Sequence, residues 1–292
     1  CINDMYFYPG ETAAVLEETG LRGLVSIVAL EFPMGSYAAN AGEYLARGME
    51  ARGIGRASAL RLAAEGAKVW ITSRDEAAIS EALGEATTHG LALYGLLMDS
   101  SNAASIKESI AQVYATDKRL DILVNNAGGS LQTPALFEQE SDDDWKRVLD
   151  LNIMGTVWAC RQALPLMTAA GHGRIVNVGS KAGRFSSRVA GANYAASKGA
   201  ISALTRQLAA EYGPKGITVN CVCPGLVMTP RTKARWESRK TPEERAALLE
   251  SIPLRRHAEP QDIAAAIAFL ASDDSAFITG ITLDVNGGEV MA

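Results

Sequence analysis

Short apolar runs alternate with amphipathic segments over most of the chain. The apolar runs are rich in β-branched residues, as buried strands are, and comprise Lys68–Thr72, Leu91–Met98, Leu120–Val124, Arg174–Gly179, Ile217–Val222 and Ile278–Val285. The intervening segments carry apolar residues at helical spacing and comprise Gly53–Glu65, Asp75–Gly84, Ser105–Thr116, Ser141–Met167, Ala192–Tyr212 and Glu259–Ser272. This regular alternation predicts an α/β protein whose doubly wound parallel sheet is covered by helices on both faces.

The first fifty residues carry a different pattern. Cys1–Pro9 and Arg22–Leu30 are predicted to form strands, and Glu11–Glu18 between them a helix. Gly42–Gly48 is typical of helix or loop, although a regular βα unit would place a strand directly before the helix at Gly53. We therefore expect an atypical N-terminal segment over residues 1–51 and a main domain over residues 52–292.

Composition and charge limit the classes of partner. Hydrophobic residues make up 48% of the 292 residues and charged residues 21%, which is ordinary for a globular protein. The net charge of -5 offers no polybasic surface to nucleic acid or to an anionic membrane. The longest apolar runs, Gly23–Leu30 and Ile263–Ala271, are too short to span a bilayer, and the N-terminus lacks the basic segment of a signal peptide. The expectation is a cytoplasmic protein that binds neither nucleic acid nor membrane.

Residue types that bind metals are scattered along the chain. Cys221 and Cys223 alternate along a predicted strand, so they share a face, and their spacing is not that of a CxxC redox pair. Metal-binding spacing is also missing among the remaining residues of this kind, which are Cys1, Cys160, His89, His172 and His257. We expect no metal site, and we expect the cysteines to be small buried residues in a reducing compartment.

One stretch concentrates residues that can move a proton. Tyr194 and Lys198 are four residues apart in a predicted helix, so the phenol and the ammonium group lie on one face. A neighbouring cation favours the phenolate and so lowers the pKa of a tyrosine, which can then exchange a proton with a carbonyl or an alcohol. Ser180 follows a predicted buried strand, where its hydroxyl can hold a substrate oxygen. The Tyr–Lys pair alone is not specific, because surface helices carry such pairs by chance.

Further motifs accompany this pair in a fixed order. Asn125-Asn126-Ala127-Gly128 follows a predicted strand, Asn152 and Gly155 lie in the next helix, and Pro224-Gly225 precedes Thr229. With Ser180 and the Tyr194–Lys198 pair, this order resembles the short-chain dehydrogenase/reductase family over about residues 52–292. The resemblance implies a Rossmann-like fold and a dehydrogenase or reductase that uses a nicotinamide cofactor.

The resemblance also implies a catalytic set of Ser180, Tyr194, Lys198 and Asn152. In such a set Tyr194 exchanges a proton with the substrate oxygen that Ser180 positions. Lys198 lowers the tyrosine pKa and binds the nicotinamide ribose, and Asn152 holds a proton-relay water. Ser180 and Tyr194 are one residue further apart than the family pattern, which indicates an insertion in the loop Arg184–Ala190.

The implied cofactor is NADP(H), with NAD(H) as the alternative. Arg52 and Arg74 suit the 2′-phosphate of NADP, whereas an NAD site places an acid near the position of Ser73. In the family an acid at the position of Asp99 receives the adenine amino group. The expected cofactor-binding residues are Arg52, Gly53, Ile54, Gly55, Ser73, Arg74, Asp99, Ser100, Asn126, Ala127, Gly128, Tyr194, Lys198, Pro224, Gly225, Val227 and Thr229.

The phosphate-binding loop departs from the family pattern. Only its last two glycines, Gly53 and Gly55, are present, and Met49 stands where the first is expected. Residues 1–51 look like an unrelated amidohydrolase fragment without its metal-binding histidines, so no deaminase activity is expected. The family's first strand lies in the middle of the sheet, and the best replacement for it in this chain is Gly23–Leu30.

These observations lead to one function and one rival. The expected activity is the interconversion of an alcohol and a ketone or aldehyde, as in 3-oxoacyl-acyl-carrier-protein reductases or sugar and steroid dehydrogenases. The rival is a non-catalytic scaffold whose cofactor site is impaired at Met49. The charged segment Thr229–Leu254 is expected to be a substrate lid. Apolar faces on Gln162–Met167 and Ile263–Leu270 are expected to join copies into a homo-oligomer, a tetramer or a dimer.

Overall fold

The computed structural model describes the backbone of residues 24–29 and residues 53–131, 133, 136–187, 190–239 and 241–291. The predictions for Cys1–Pro9, Glu11–Glu18 and Gly42–Gly48 lie outside the described residues, as do those for Met49 and Arg52.

Seven parallel strands form one sheet in the described part of the chain, in the order β3-β2-β1-β4-β5-β6-β7. The strands are β1 (Leu24–Ala29), β2 (Lys68–Ser73), β3 (Leu93–Leu97), β4 (Ile122–Asn125), β5 (Gly173–Val178), β6 (Ile217–Pro224) and β7 (Thr282–Val285). The order reverses direction between β1 and β4, which is the arrangement of a doubly wound sheet. The predicted Rossmann-like fold class is therefore confirmed.

Strand β1 fills the central slot of the sheet. It pairs in parallel with β2 from Leu24 opposite Lys68, and with β4 from Val25 opposite Ile122. Without it, β2 and β4 would each expose unpaired backbone groups inside the protein, which is costly. The prediction that the run Gly23–Leu30 replaces the missing first strand is confirmed.

Helices cover both faces of the sheet. They are α1 (Ile54–Ala64), α2 (Glu76–Thr88), α3 (Ala103–Asp117), α4 (Asp142–Leu149), α5 (Gly155–Ala170), α6 (Ala192–Tyr212), α7 (Pro230–Arg239), α8 (Pro242–Glu250) and α9 (Pro260–Ala271). Apolar residues of α1, α2 and α9 pack with Val124 and Val176 on one face. Those of α3, α5 and α6 pack with Leu123 and Ile175 on the other. Neighbouring strand residues thus point to opposite faces, and both faces are buried.

Two predicted elements differ from the observed ones. The predicted helix Ser141–Met167 is interrupted by a π-helical turn, Asp150–Met154, between α4 and α5. The predicted last strand Ile278–Val285 is observed only from Thr282, because Gly280 has a φ of +77° and breaks the extended backbone before it. Each of these differences depends on a single residue, so the spacing of apolar residues along the sequence predicts neither of them.

The expected apolar faces on α5 and α9 are mostly covered by the chain itself. Leu164 and Met167 are buried in the core on one side of the sheet, and Ile263, Ile267 and Leu270 in the core on the other. For these five side chains the prediction of an exposed apolar face is wrong, whereas Phe269 of α9 is 43% exposed. Self-association itself stays a prediction.

The three cysteines within the described residues, Cys160, Cys221 and Cys223, are free and buried, as expected. Burial raises the pKa of the Cys160 thiol to about 12. The helices in the described part of the chain are all too short or too polar to cross a membrane. Within the same residues, His, Cys, Asp and Glu form no cluster that could hold a metal ion.

Candidate active site

The predicted site residues gather at the carboxyl edge of the sheet. Strand β2 ends at Ser73, β4 at Asn125 and β6 at Pro224, and Ser180 follows the end of β5 by two residues. Ligands of open parallel sheets bind in the crevice outside this edge, beside the point where the strand order reverses. Arg52 lies outside the described residues, whereas the other predicted residues all belong to the described part.

Asn152 and Lys198 converge on Gly128. A Cβ atom at Gly128 would lie 2.6 Å from Asn152 Oδ1 and 2.8 Å from Lys198 Nζ, and the φ of +157° at this position favours glycine. The backbone N–H of Gly129 donates to Asn152 Oδ1 over 2.8 Å, and Asn152 Nδ2 donates to Ser197 Oγ over 2.9 Å. The Asn152 amide therefore joins the segment after β4 to helix α6.

The π-helical turn sets the position of Asn152, which is fully buried within it. The extra residue of the turn rotates α4 relative to α5, and Gly155 follows it where a Cβ would lie 2.5 Å from the carbonyl oxygen of Ser100. Turns of this kind are frequent at functional sites. The carbonyl oxygen of Asn152 accepts a hydrogen bond from Thr156 Oγ1 over 3.2 Å, a contact that the sequence did not suggest.

Tyr194 and Lys198 lie one turn apart on α6, as predicted. Lys198 is buried, with 4% of its surface exposed, and its Nζ donates to the carbonyl oxygen of Val178 over 2.9 Å. The same nitrogen lies 6.0 Å from the centre of the Tyr194 ring, which is half-buried. The two side chains therefore lie on the same side of the helix.

Ser180 opens a tight turn that packs on the same helix. Its Oγ accepts a hydrogen bond from the backbone N–H of Ala182 over 3.2 Å, which fixes the side chain at the start of the 3₁₀ turn Lys181–Gly183. A Cβ at Gly183 would lie 2.5 Å from Gly199 N and 2.7 Å from Lys198 O. Ser180 is thus held against the helix turn that carries Lys198.

Replacing Gly183 by alanine is expected to lower activity strongly. The added methyl group would collide with backbone atoms of α6, which cannot rotate away, so the turn carrying Ser180 must move. We expect a loss of catalytic rate on the order of a hundredfold, the cost of an ångström-scale misplacement in an active site. Steady-state kinetics measures it.

Gly84→Ala is the matched control for this substitution. Gly84 lies inside α2, where a Cβ would meet no atom within 4 Å, so its replacement should leave activity unchanged. It should raise stability slightly, because alanine is the better helix former. Wild-type kinetics for Gly183→Ala would contradict the close packing of the two elements.

A thiol pair lies directly behind Ser180. Cys221 Sγ and Cys223 Sγ are 3.9 Å apart, and a Cβ at Gly179 would lie 2.8 Å and 2.6 Å from them respectively. The hydrogen bond from Cys221 is the main reason that the pKa of the Cys223 thiol is lowered. Their alternate positions on β6 predict the shared face, but only the fold shows that this face supports the Ser180 backbone.

The ends of β2 and β3 form a polar corner that suits a nucleotide. Burial alone would raise the pKa of Asp99, but hydrogen bonds from Ser101 and the charge of Arg74 hold it below its usual value. Arg74 is therefore close enough to act on Asp99 electrostatically. Ser73 Oγ accepts a hydrogen bond from the backbone N–H of Asp75, so this hydroxyl stabilises the turn that contains Arg74.

Helix α1 offers its N-terminus to the same crevice. Its N-cap residue, Gly53, has no side chain to occupy the first N–H groups, and a Cβ there would meet no described atom within 4 Å. Such a helix end binds phosphate groups through its N–H groups and its dipole. The donor set therefore fits the pyrophosphate of a dinucleotide.

The remaining predicted residues follow β6. A Cβ at Gly225 would lie 3.0 Å from the Asn286 side chain, so the segment after β7 closes over this motif. Val227 forms a single parallel β-bridge with Ala258, and Thr229 Oγ1 lies 2.9 Å from Thr232 Oγ1 at the start of α7. The segment expected as a lid begins here and consists mainly of the two helices α7 and α8.

A family model described as Enoyl-(Acyl carrier protein) reductase matches residues 48–289, which is most of the chain. The chain belongs to the short-chain dehydrogenase/reductase family. It is 39% identical over 243 residues to 3-oxoacyl-[acyl-carrier-protein] reductase FabG of Escherichia coli (strain K12), a match that covers 82% of this chain and 94% of FabG. As a family member it is an NAD(P)-dependent oxidoreductase.

Two further relatives extend this picture. The chain is 38% identical over 240 residues to (2S)-[(R)-hydroxy(phenyl)methyl]succinyl-CoA dehydrogenase subunit BbsD of Thauera aromatica, covering 82% of this chain and 92% of BbsD. A solved structure of a short-chain type dehydrogenase/reductase from Mycobacterium ulcerans superposes with a TM-score of 0.78 at 29% identity, covering 91% of this chain and 89% of that one. The expected amidohydrolase likeness of residues 1–51 is not borne out by these comparisons.

Proposed function

We propose that the protein is an NADP(H)-dependent oxidoreductase that interconverts a secondary alcohol and a ketone at Ser180, Tyr194, Lys198 and Asn152. The observation that carries the proposal is the convergence of Lys198 Nζ and Asn152 Oδ1 on Gly128, with the Tyr194 ring 6.0 Å from Lys198 Nζ. Scattered surface residues would not be buried together in this way.

Each residue has a role that its contacts support. Tyr194 gives a proton to the ketone oxygen during reduction and takes one from the alcohol during oxidation. Lys198, held by Val178 O, stabilises the phenolate that remains. Ser180, fixed at the start of its turn, donates a hydrogen bond to the substrate oxygen.

Asn152 has a different task, because its side chain is already bonded to Gly129 and Ser197. It holds the segment after β4 at a fixed distance from Lys198. Its backbone carbonyl oxygen accepts a hydrogen bond from Thr156 Oγ1 with one lone pair and would hold a proton-relay water with the other.

The cofactor fits the residues of the carboxyl edge. The N-terminus of α1 would hold the pyrophosphate, Asp99 the adenine amino group and Arg74 the 2′-phosphate. Lys198, beside Gly128, would bind the nicotinamide ribose. When bound, the nicotinamide ring supplies or accepts the hydride.

The names of the relatives suggest the substrate class. FabG is named for a 3-oxoacyl group on acyl carrier protein, and BbsD for a hydroxylated succinyl-CoA. Both names describe acyl thioesters that carry an oxygen function on the acyl chain. We propose a 3-oxoacyl thioester as the substrate, with a sugar or steroid alcohol as the alternative.

The direct test is reduction of acetoacetyl-CoA by the purified protein, followed through the absorbance of NADPH. Consumption of NADPH that depends on acetoacetyl-CoA supports the proposal. Failure to bind NADPH, with no turnover of any thioester, sugar or steroid alcohol, would favour the non-catalytic scaffold with an impaired cofactor site. A fluorescence titration with NADPH separates failed binding from failed chemistry.

Replacing Arg74 by aspartate is expected to shift cofactor preference from NADPH to NADH. The guanidinium suits a 2′-phosphate, whereas a carboxylate repels it and accepts hydrogen bonds from free ribose hydroxyls. We expect kcat/KM with NADPH to fall about tenfold to a hundredfold, which corresponds to the loss of one charge-assisted contact. Arg61→Asp, on the exposed side of α1, is the control for a change of charge alone. Faster turnover of NADH than of NADPH by the wild type would contradict the assignment.

A further inference from the structure

The helix that carries Tyr194 has a glycine as its N-cap residue. Helix α6 begins after Gly191, which forms no side-chain hydrogen bond to the first turn. The first N–H groups of a helix need acceptors from elsewhere, and a helix end without them frays. Tyr194 lies in this first turn, so fraying there would move the phenol.

An acceptor for this turn comes from another part of the chain. The backbone N–H of Asn193 lies 3.3 Å from both carboxylate oxygens of Glu140. Glu140 follows the short 3₁₀ turn Phe137–Gln139, in the segment between β4 and α4. A carboxylate at a helix N-terminus is favoured both by the free N–H groups and by the helix dipole.

The side chain of Asn193 strengthens the same connection. It is fully buried, and its Oδ1 accepts hydrogen bonds from the backbone N–H of Tyr194 over 2.6 Å and from Thr133 Oγ1 over 3.2 Å. Its Nδ2 is buried without a hydrogen-bond partner among the described residues. The amide is therefore held by its oxygen, between the segment after β4 and the phenol-bearing residue.

The carboxylate of Glu140 is not needed by the helix next to it in sequence. Helix α4 begins at Asp142 and has a complete capping box of its own, formed by Ser141 and Asp144. Glu140 is adjacent to that box, yet its carboxylate is directed to α6. The sequence places two caps side by side, and they serve two different helices.

We propose that Glu140 is a positioning residue for Tyr194, a helix cap supplied by the segment that borders the active site. The proposal rests on the proposed function, because it assigns Glu140 an effect on the proton transfer of Tyr194. Loss of the carboxylate releases the first turn of α6 and misplaces the phenol, while the cofactor contacts at the other strands stay intact.

The test compares three variants of the full chain: Glu140→Ala, Glu140→Gln and Glu138→Ala. Glu140→Ala is expected to lower kcat about tenfold to a hundredfold, the range of a small misplacement of a catalytic group, with the NADPH affinity and the KM for acetoacetyl-CoA unchanged. Glu140→Gln retains an oxygen acceptor and should restore most of the rate. Glu138 is exposed and lies in the same 3₁₀ turn, so its replacement should change neither.

Two outcomes would overturn the proposal. One is wild-type kcat for Glu140→Ala. The other is a loss of kcat in both Glu140 variants that only follows a fall in melting temperature, which would indicate a purely structural cap.

Hydrogen exchange keeps the test independent of activity. Backbone N–H groups of Asn193 and Tyr194 should exchange at least about tenfold faster in Glu140→Ala, while those of α9 are unchanged. If the wild type reduces no substrate, the proposed function is refuted. The exchange data still test whether Glu140 caps α6, because unchanged exchange in Glu140→Ala would refute the cap. If the wild type is active and Glu140→Ala is equally active, only the positioning role is refuted.

Discussion

Tyr194→Phe is expected to lower kcat/KM about 10²-fold to 10⁴-fold, the range of general acid–base catalysis. The substitution removes only the hydroxyl that exchanges a proton with the substrate oxygen. The ring stays, so its contact with the Lys198 ammonium group and the packing of α6 are retained. NADPH affinity and melting temperature should therefore stay near the wild-type values. Steady-state kinetics and a fluorescence titration measure both effects.

Tyr212→Phe is the matched control, because Tyr212 is on the same helix and also lies beside a lysine, Lys215. Its hydroxyl is far along the helix from the predicted site, so its loss should leave kcat/KM unchanged. A Tyr194→Phe variant that retains more than a tenth of the wild-type kcat/KM would show that another group transfers the proton. In that case Ser180 would be the next residue to replace.

The sequence predicts the sheet well because parallel strands buried on both faces must be apolar throughout. Runs such as Ile217–Val222 leave few alternatives to a buried strand, and the observed β6 contains this run entirely. The candidate site could be predicted for a related reason. Parallel strands bring their carboxyl ends to one edge, so residues that follow strands meet there whatever their separation in sequence.

The parts that could not be predicted depend on atomic contacts. The π-helical turn at Asn152 spans only five residues, so the sequence pattern predicts α4 and α5 as one helix. The sequence around Gly183 does not indicate that this residue packs against Gly199. Glu140 is one of several acidic residues at a capping box, and the sequence does not indicate that its carboxylate contacts another helix. The spacing of Ile263, Ile267 and Leu270 on α9 indicates burial, but only the fold shows that they pack on the chain's own sheet.

The first strand shows how the two kinds of information combine. Composition identifies Gly23–Leu30 as suited to burial, while its distance from Gly53 argues against a regular βα unit. In the structure β1 pairs with both β2 and β4, so the need of the sheet for a central strand outweighs the length of the connection. The remaining departure from the family pattern therefore lies in the sequence between β1 and α1.

Met49→Gly is expected to tighten NADPH binding, because the wild type is expected to bind it much more weakly than relatives with an intact phosphate loop do. In such a loop the backbone passes close beneath the pyrophosphate, which is why glycine stands at its first position. A side chain there obstructs the phosphates, and each charge-assisted hydrogen bond lost to them costs about 1.5–3 kcal/mol. Two such losses weaken binding on the order of a hundredfold or more.

Because β1 occupies the central position of the sheet, a single substitution can test the expected weakness of NADPH binding. Strand β1 fills the central slot of the sheet, and the N-cap residue Gly53 offers no side chain to the first N–H groups of α1, so we expect these groups to be available to the pyrophosphate. Met49→Gly should therefore recover affinity up to about a hundredfold in a fluorescence titration. Phe277→Gly, at an exposed side chain that precedes β7 and so lies at the opposite edge of the sheet, should bind NADPH as the wild type does. Micromolar affinity in the wild type would refute the expectation, since it would mean that the segment between β1 and α1 binds the pyrophosphate without the first glycine.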